Sequence, residues 1–294
     1  MFTPIKYNEP VFRPPAEAYS AIIQATIGCS WNKCAFCEMY SSKKFKTRKL
    51  EELKNEIKVL ADILPGTKKI FLADGNAFVL SANKLLPILS EINTQFGKIQ
   101  RISSYALPKD ILSKSDSELK ELRKNGLKLL YVGIETGNDD LLKMIRKGET
   151  FNSSVDGILK AHHSGIDTSI MIINGLGGTE YSTRHAIDSA KIISKIKPKF
   201  LSTLTLSLPY GENHFQNKFK GNYQQQSIKD LFKELKLFIE NIDTHNTIYR
   251  SDHVSNNLIL KGTLNKDKNQ LISVLNTAIN DTKPEILPQT AKIL

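Results

Sequence analysis

The chain has 294 residues, of which 40% are apolar and 24% are charged. These proportions are typical of a folded globular protein and exclude wholesale disorder. No run of eighteen apolar residues occurs, and Pro4, Pro10, Pro14 and Pro15 interrupt the segment where a secretory signal would need an apolar core, so we expect a cytoplasmic protein with no membrane partner. The net charge of +11 favours anionic partners, although lysines scattered along the chain would give the same value as a composition bias.

Short apolar runs alternate with amphipathic stretches along most of the chain, which predicts strands alternating with helices. We predict six strands, at 21–27, 68–73, 99–104, 128–134, 168–173 and 200–206. We predict a helix at 48–64, a second that begins after Ser81, and a third from the Ser115–Glu118 capping box to Gly126. A helical region that ends at Gly165 is expected to break near Gly148, and the helix after the fifth strand is expected to end at about Lys195. Two further helices are predicted at 227–242 and 267–280. The proline-containing tail beyond them is expected to be extended.

Six strand–helix units in series predict an α/β fold with parallel strands and right-handed crossovers. An open doubly wound sheet and a barrel of six strands both fit this pattern, because the period alone does not separate them. In either fold, functional side chains belong on the loops that leave the carboxyl ends of the strands.

Three cysteines, Cys29, Cys34 and Cys37, directly follow the first predicted strand in the sequence GCSWNKCAFC. Three thiols within nine residues are unsuited to a disulfide framework and typical of a metal site. A structural zinc site would need a fourth ligand, and neither a histidine nor a fourth cysteine lies nearby in the sequence. A [4Fe–4S] cluster on three thiolates would leave one iron open to a substrate or cofactor.

The cysteine loop resembles that of the radical S-adenosylmethionine (radical SAM) superfamily, with one residue more between the first two cysteines than the commonest motif has. Four further segments resemble this superfamily in order: ADGN (73–76), YVGIETGNDDLLKMIRKG (131–148), IINGLGGTE (172–180) and SLPYGENHF (207–215). The last three are similar to the branch of methylthiotransferases, Elongator-like proteins and oxygen-independent coproporphyrinogen enzymes. The resemblance implies a partial (β/α)6 TIM-like barrel at 21–215, an N-terminal extension at 1–20 and a small, mainly helical C-terminal extension at 216–294.

The resemblance also implies which residues bind the two cofactors, a [4Fe–4S] cluster and S-adenosylmethionine (SAM). Cys29, Cys34 and Cys37 would hold the cluster. The expected SAM contacts follow the successive strands and are Phe36, Asp74, Gly75, Asn76, Ser104, Glu135, Gly175 and Leu206. Two of these have simpler interpretations: Glu135 would also serve as a helix cap, and Gly175 would also serve in a tight turn.

The resemblance further implies that one electron delivered through the iron–sulfur cluster cleaves SAM to methionine and a 5′-deoxyadenosyl radical, which abstracts hydrogen from a substrate. The basic segment KKFKTRK (43–49) predicts a docking surface for an acidic electron donor, flavodoxin or ferredoxin. A solvated helix start is the alternative interpretation of the same charges.

The substrate is not defined by the sequence, and either a small molecule or a macromolecule is consistent with it. The segment YRSDHVSNN (249–257) concentrates hydrogen-bonding groups between regular elements, so Arg250, Asp252, His253 and Asn256 are candidate substrate contacts. The net charge permits a nucleic-acid partner, but no RNA-binding module is recognised. A non-catalytic iron–sulfur redox sensor, or a metal-dependent nucleic-acid-binding protein, is the alternative to an enzyme.

Overall fold

The computed structural model describes residues 5–281 and divides the chain into two compact units. The first unit comprises Met1–Asn32, Cys37–Val132 and Asp156–Thr168. The second comprises Lys33–Phe36, Gly133–Val155 and Ser169–Leu294. The predicted extended tail lies outside the described residues. In the part of the chain that the structure describes, no helix combines the length and apolar character needed to cross a bilayer.

The secondary structure follows the predicted alternation closely. The strands are β1 Ala21–Gln24, β2 Thr26–Ile27, β3 Lys46–Thr47, β4 Lys69–Ala73, β5 Arg101–Tyr105, β6 Leu127–Glu135, β7 Asp167–Asn174, β8 Phe200–Thr205, β9 Thr247–Arg250 and β10 Lys261–Leu264. The helices are α1 Leu50–Ile63, α2 Ala82–Phe96, α3 Pro108–Leu112, α4 Asp116–Lys124, α5 Asp139–Met144, α6 Phe151–His163, α7 Gly178–Ile196, α8 Glu212–Lys218, α9 Ile228–Asn241 and α10 Lys268–Asn280.

In the first unit, β1, β4, β5 and β6 pair in that order and are all parallel. Four of the five residues of β4 are buried, as expected of an apolar strand covered on both faces. The capping box of α4 is confirmed, since Ser115 Oγ accepts the Glu118 N–H at 3.2 Å and Glu118 Oε2 accepts the Ser115 N–H at 2.7 Å. The parallel order directs the carboxyl ends of these strands, and the loops that follow them, to one edge of the sheet.

In the second unit, β7, β8 and β9 are parallel in that order, and β10 runs antiparallel to β9. The predicted break between α5 and α6 is confirmed. The prediction of a mainly helical C-terminal extension missed β9 and β10, and Tyr249 and Arg250 lie in a strand rather than between regular elements. Both strands are only four residues long and signal weakly in the sequence; β9 is stabilised by pairing with β8, and β10 by pairing with β9.

Candidate functional site

The three cysteines are free thiols, and each is half-buried. Cys29 and Cys37 belong to the first unit, and Cys34 belongs to the segment Lys33–Phe36 of the second unit. Within residues 5–281, the structure contains no group of three or more His, Cys, Asp or Glu side chains already arranged to hold a metal ion. Joint ligation by the three thiolates therefore stays a prediction.

Asp74, directly after β4, contacts residues on both sides of the cysteine loop. Its Oδ2 accepts the N–H of Gly28 at 3.0 Å, one residue before Cys29, and the side-chain amide of Gln24 at 3.0 Å. The same oxygen forms an ion pair of 2.8 Å with Lys43 Nζ. Because the side chains of Lys43 and Asp74 are 3% and 0% exposed, this pair is an internal support of the loop.

Three buried polar atoms beside the ADGN segment have no hydrogen-bond partner in the described residues: Tyr40 Oη, Asp74 Oδ1 and Asn76 Oδ1. A methyl group on Gly75 would collide with the ring of Tyr40, so backbone and ring are in close contact there. Burial raises the pKa of Tyr40 far above its ordinary value, and the charges of Tyr105, Asp74, Cys37 and Cys29 raise it further. Buried groups of this kind are normally paired, so these atoms are suited to contact a polar ligand.

Asn76 links the cysteine loop to the segment after β5. Its side-chain amide donates to Ser30 Oγ at 2.7 Å and to Asp110 Oδ2 at 2.6 Å. Asp110 is a buried residue of α3, and no sequence pattern marked it as a site residue. Ser104, an expected SAM contact, is buried, and its hydroxyl donates to the carbonyls of Leu72 at 3.2 Å and Tyr105 at 3.0 Å.

In the second unit, Glu135 and Phe36 both contact the same cation. Glu135 Oε1 forms a buried ion pair of 2.7 Å with Lys147 Nζ, and that ammonium lies 5.9 Å from the centre of the Phe36 ring. The φ angle of Glu135 is +69°, a conformation that few residues with a side chain adopt and that occurs preferentially at functional sites. Lys147 was not selected from the sequence, although it lies inside the motif that begins at Tyr131.

Gly175 and Leu206 lie at the carboxyl ends of β7 and β8. The Leu206 N–H donates to the Asn174 carbonyl at 2.9 Å, and both Leu206 and Phe36 pack against a buried apolar group. This group contains Leu141, Leu142, Ile145, Ile173, Leu176, Phe215, Phe219 and Tyr223. The second unit therefore brings Phe36 and Leu206 to one apolar surface.

The candidate substrate residues occupy different environments. Asn256 is held against β8, since its Nδ2 donates to the Thr203 carbonyl at 2.8 Å and its Oδ1 accepts from Thr205 Oγ1 at 3.1 Å. Arg250 and Asp252 are exposed, and Asp252 forms an ion pair of 3.2 Å with Lys261.

His253 has one ring nitrogen in use. Its Nδ1 accepts the Ser255 N–H at 3.2 Å, and its Nε2 makes no hydrogen bond among residues 5–281. Because Nδ1 acts as an acceptor, the neutral ring carries its proton on Nε2. Burial lowers the pKa of His253 below its ordinary value, which favours this neutral form.

The prediction that the whole 43–49 segment forms a charged surface is wrong for two of its residues. Lys43 is buried, and its ammonium donates to the carbonyls of Asn8 at 2.5 Å and Pro10 at 2.6 Å besides pairing with Asp74. Arg48 binds both carboxylate oxygens of Glu56 at 2.7 Å. The exposed cations of the segment are Lys44, Lys46 and Lys49, which we call the hairpin surface because Lys46 lies in the β2–β3 pair.

The comparisons with known proteins agree with these features. The model of the radical SAM superfamily matches residues 23–190, more than half of the chain. A Methanocaldococcus jannaschii protein whose name proposes a methylthiotransferase is 26% identical over 228 residues, which are 71% of this chain and 49% of that protein. GTP 3′,8-cyclase of Clostridium perfringens is 26% identical over 209 residues, 70% of this chain and 59% of the enzyme. The chain spans about half the length of the curated relatives it matches.

Solved structures show the same fold at low sequence identity. Coproporphyrinogen III oxidase of Escherichia coli, a radical SAM enzyme, has a TM-score of 0.58 at 20% identity, over 75% of this chain and 52% of that chain. Methylornithine synthase has a TM-score of 0.51 at 15% identity, over 90% of this chain and 83% of its own. These neighbours are partial TIM barrels, so the predicted α/β fold class is confirmed. The chain belongs to the radical SAM superfamily, whose members bind a [4Fe–4S] cluster and SAM.

Proposed function

We propose that Cys29, Cys34 and Cys37 hold the [4Fe–4S] cluster and that the loops after the strands hold SAM for hydrogen abstraction from an unidentified substrate. When bound, the reduced cluster supplies one electron that splits SAM into methionine and a 5′-deoxyadenosyl radical, which becomes 5′-deoxyadenosine by taking one hydrogen atom from the substrate. The observation that carries this proposal is the set of unpartnered buried atoms around Gly75, beside a loop with three free thiols.

The donor set of the first unit suits both cofactors. Thiolates are the ligands that iron–sulfur clusters prefer. The Oδ1 atoms of Asp74 and Asn76 are buried acceptors without a donor, and the ammonium group of an amino-acid ligand would satisfy them. Asp74 at the same time holds Gly28 through its other oxygen and so supports the loop that carries Cys29.

In the second unit, we assign recognition of SAM to Glu135 and exclusion of water to Phe36 and Leu206. The Glu135 carboxylate, which is paired with Lys147, would accept hydrogen bonds from ribose hydroxyls, and the two apolar side chains would keep water away from the bound cofactor. A dry site strengthens every polar contact made with the bound cofactor. Three reduced thiols suit a reducing compartment, which supports a cytoplasmic location.

The test is SAM cleavage by protein that has been reconstituted with iron and sulfide without oxygen and then reduced with dithionite. We expect methionine and 5′-deoxyadenosine in equal amounts, and deuterium in the 5′-deoxyadenosine when an extract of deuterated cells supplies the substrate. A Cys34→Ser variant is the matched control and should form neither product. Wild-type protein that binds a cluster but leaves SAM intact would contradict the proposal and favour a redox sensor.

We propose that the hairpin surface receives the acidic electron donor, flavodoxin or ferredoxin. The β2–β3 register places Lys46 opposite Ile27, two residues before Cys29. A methyl group on Gly28 would lie 3.5 Å from the backbone nitrogen of Phe45, so the hairpin packs directly on Gly28, the residue before the proposed cluster ligand Cys29. Complementary charge at such a place mainly accelerates encounter of the two proteins.

We propose that His253 and Asn256 contact the substrate. The 253–256 turn is tied to the end of β8 through Thr203 and Thr205, and Thr205 is paired with Asn174 in the adjacent strand β7. The turn therefore lies next to the loop that carries Gly175. The Nε2–H of His253 is an unused donor there, as a substrate site requires.

A further inference from the structure

A buried carboxylate from the C-terminal part of the chain holds the glycine loop after β7. Oε1 of Glu234, on helix α9, accepts the N–H of Gly175 at 2.6 Å. The Asn174 side chain donates to the Leu231 carbonyl of the same helix at 3.1 Å. A methyl group on Gly175 would lie 2.6 Å from Leu231 Cδ2, and the φ of Gly175 is +82°. Both the contact and the conformation require glycine.

The same carboxylate is close to a histidine that supports a second expected SAM loop. His185 Nε2 lies 3.7 Å from Glu234 Oε1, and His185 Nδ1 is 2.8 Å from the hydroxyl of Thr136. Thr136 directly follows Glu135, so the pair joins the loops after β6 and β7. Burial lowers the pKa of His185 below its ordinary value, although Glu234 opposes this shift.

The second oxygen of Glu234 has no partner among the described residues, and Glu234 is one of the residues that line a small cavity. Asn174, Thr203 and His185 provide the other polar groups of the wall, and Ile172 and Phe238 provide apolar ones. The cavity has room for about one water molecule. A water there would satisfy Oε2.

We propose that Glu234 is a positioning residue for SAM, which it does not touch but whose glycine loop it fixes through the Gly175 N–H. This inference rests on the proposed function, because it takes residues 174–176 as part of the SAM site. At 2.6 Å the bond is short for an N–H···O hydrogen bond, so the carboxylate oxygen holds the Gly175 N–H closely. Without it, the Gly175 N–H would be buried with no acceptor, and the loop would leave the conformation that its glycine allows.

The test compares SAM binding to cluster-loaded wild type, Glu234→Leu, Glu234→Asp and Glu234→Gln, with exposed Glu240→Gln on the same helix as control. Loss of the bond in Glu234→Leu should raise the Kd for SAM about tenfold or more, with iron content unchanged. Glu234→Asp keeps a carboxylate, but the side chain is one methylene shorter and no longer reaches the Gly175 N–H, so this variant should also bind SAM more weakly. Glu234→Gln keeps an acceptor oxygen and should restore most of the affinity.

Amide hydrogen exchange gives a second readout that does not depend on activity. The Gly175 amide should be protected in wild type and Glu234→Gln and should exchange faster in Glu234→Leu and Glu234→Asp. If the Leu and Asp variants both bound SAM with wild-type affinity, the inference about Glu234 would be overturned and the proposed function would stand. A wild-type holoprotein that does not bind SAM would refute the proposed function and this inference with it.

Discussion

Replacing Lys43 by Met should destabilise the folded chain by about 3–5 kcal/mol, because the Asp74 carboxylate would be left buried without its cation. The Lys43 ammonium makes three short polar contacts, with Asp74 at 2.8 Å, the Asn8 carbonyl at 2.5 Å and the Pro10 carbonyl at 2.6 Å. The free energy of unfolding of a typical domain is about 5–15 kcal/mol, so this loss would remove a large part of the total stability.

Urea unfolding of the oxygen-free apoprotein measures this loss. The exposed neighbour Lys44 gives the matched control, and Lys44→Met should change the free energy of unfolding by less than about 0.5 kcal/mol. The double variant Lys43→Met/Asp74→Asn should lose less than the sum of the two single losses, because it removes both charges. If Lys43→Met and Lys44→Met were equally stable, the buried ion pair would not support the cysteine loop as described.

Further predictions concern the electron donor, the substrate and two buried positions. Replacing all three lysines of the hairpin surface by Gln should slow reduction by flavodoxin several-fold at low salt and leave reduction by dithionite unchanged; equal slowing would contradict docking there. His253→Ala should abolish product while 5′-deoxyadenosine still forms, and because the pKa of His253 is lowered, wild-type turnover should persist below pH 6.5, the ordinary value, in a pH–rate profile. Burial lowers the pKa of Lys114 to about 8, so between pH 8 and 10.5 the unfolded chain binds more protons at this residue than the folded chain does. The free energy of unfolding should therefore rise with pH over this range, and the rise should be absent from Lys114→Met. Gly75→Ala should cost about 1–3 kcal/mol in urea unfolding and weaken SAM binding, because its methyl group would displace the Tyr40 ring.

The parts of the fold that the sequence predicts are those with local causes. The capping box at Ser115 and the break near Gly148 depend on neighbouring residues only, and the structure confirms both. The strand β9 was missed because its stability comes from pairing with β8, more than forty residues earlier in the chain, and β10 was missed because it depends in turn on β9.

The sequence motifs of the candidate site could be recognised, but the buried side chains that hold its loops could not be predicted from them. Lys43 looks like one charge in a basic run, and only Asn8, Pro10 and Asp74, which are distant in sequence, make it a buried residue. Asp110 carried no recognisable pattern. Glu234 did carry a signal in the sequence. It lies on the apolar face of α9 with Leu231, Leu235 and Phe238, where a solvent-exposed carboxylate is not expected.

The most direct test of the central claim is electron–nuclear double resonance on the reduced, cluster-loaded protein with SAM labelled by nitrogen-15 in its amino group. If three thiolates hold the cluster and leave one iron for SAM, the [4Fe–4S] signal should change on addition of SAM and show coupling to the labelled nitrogen. A cluster signal that is identical with and without SAM, and that shows no nitrogen coupling, would contradict the account.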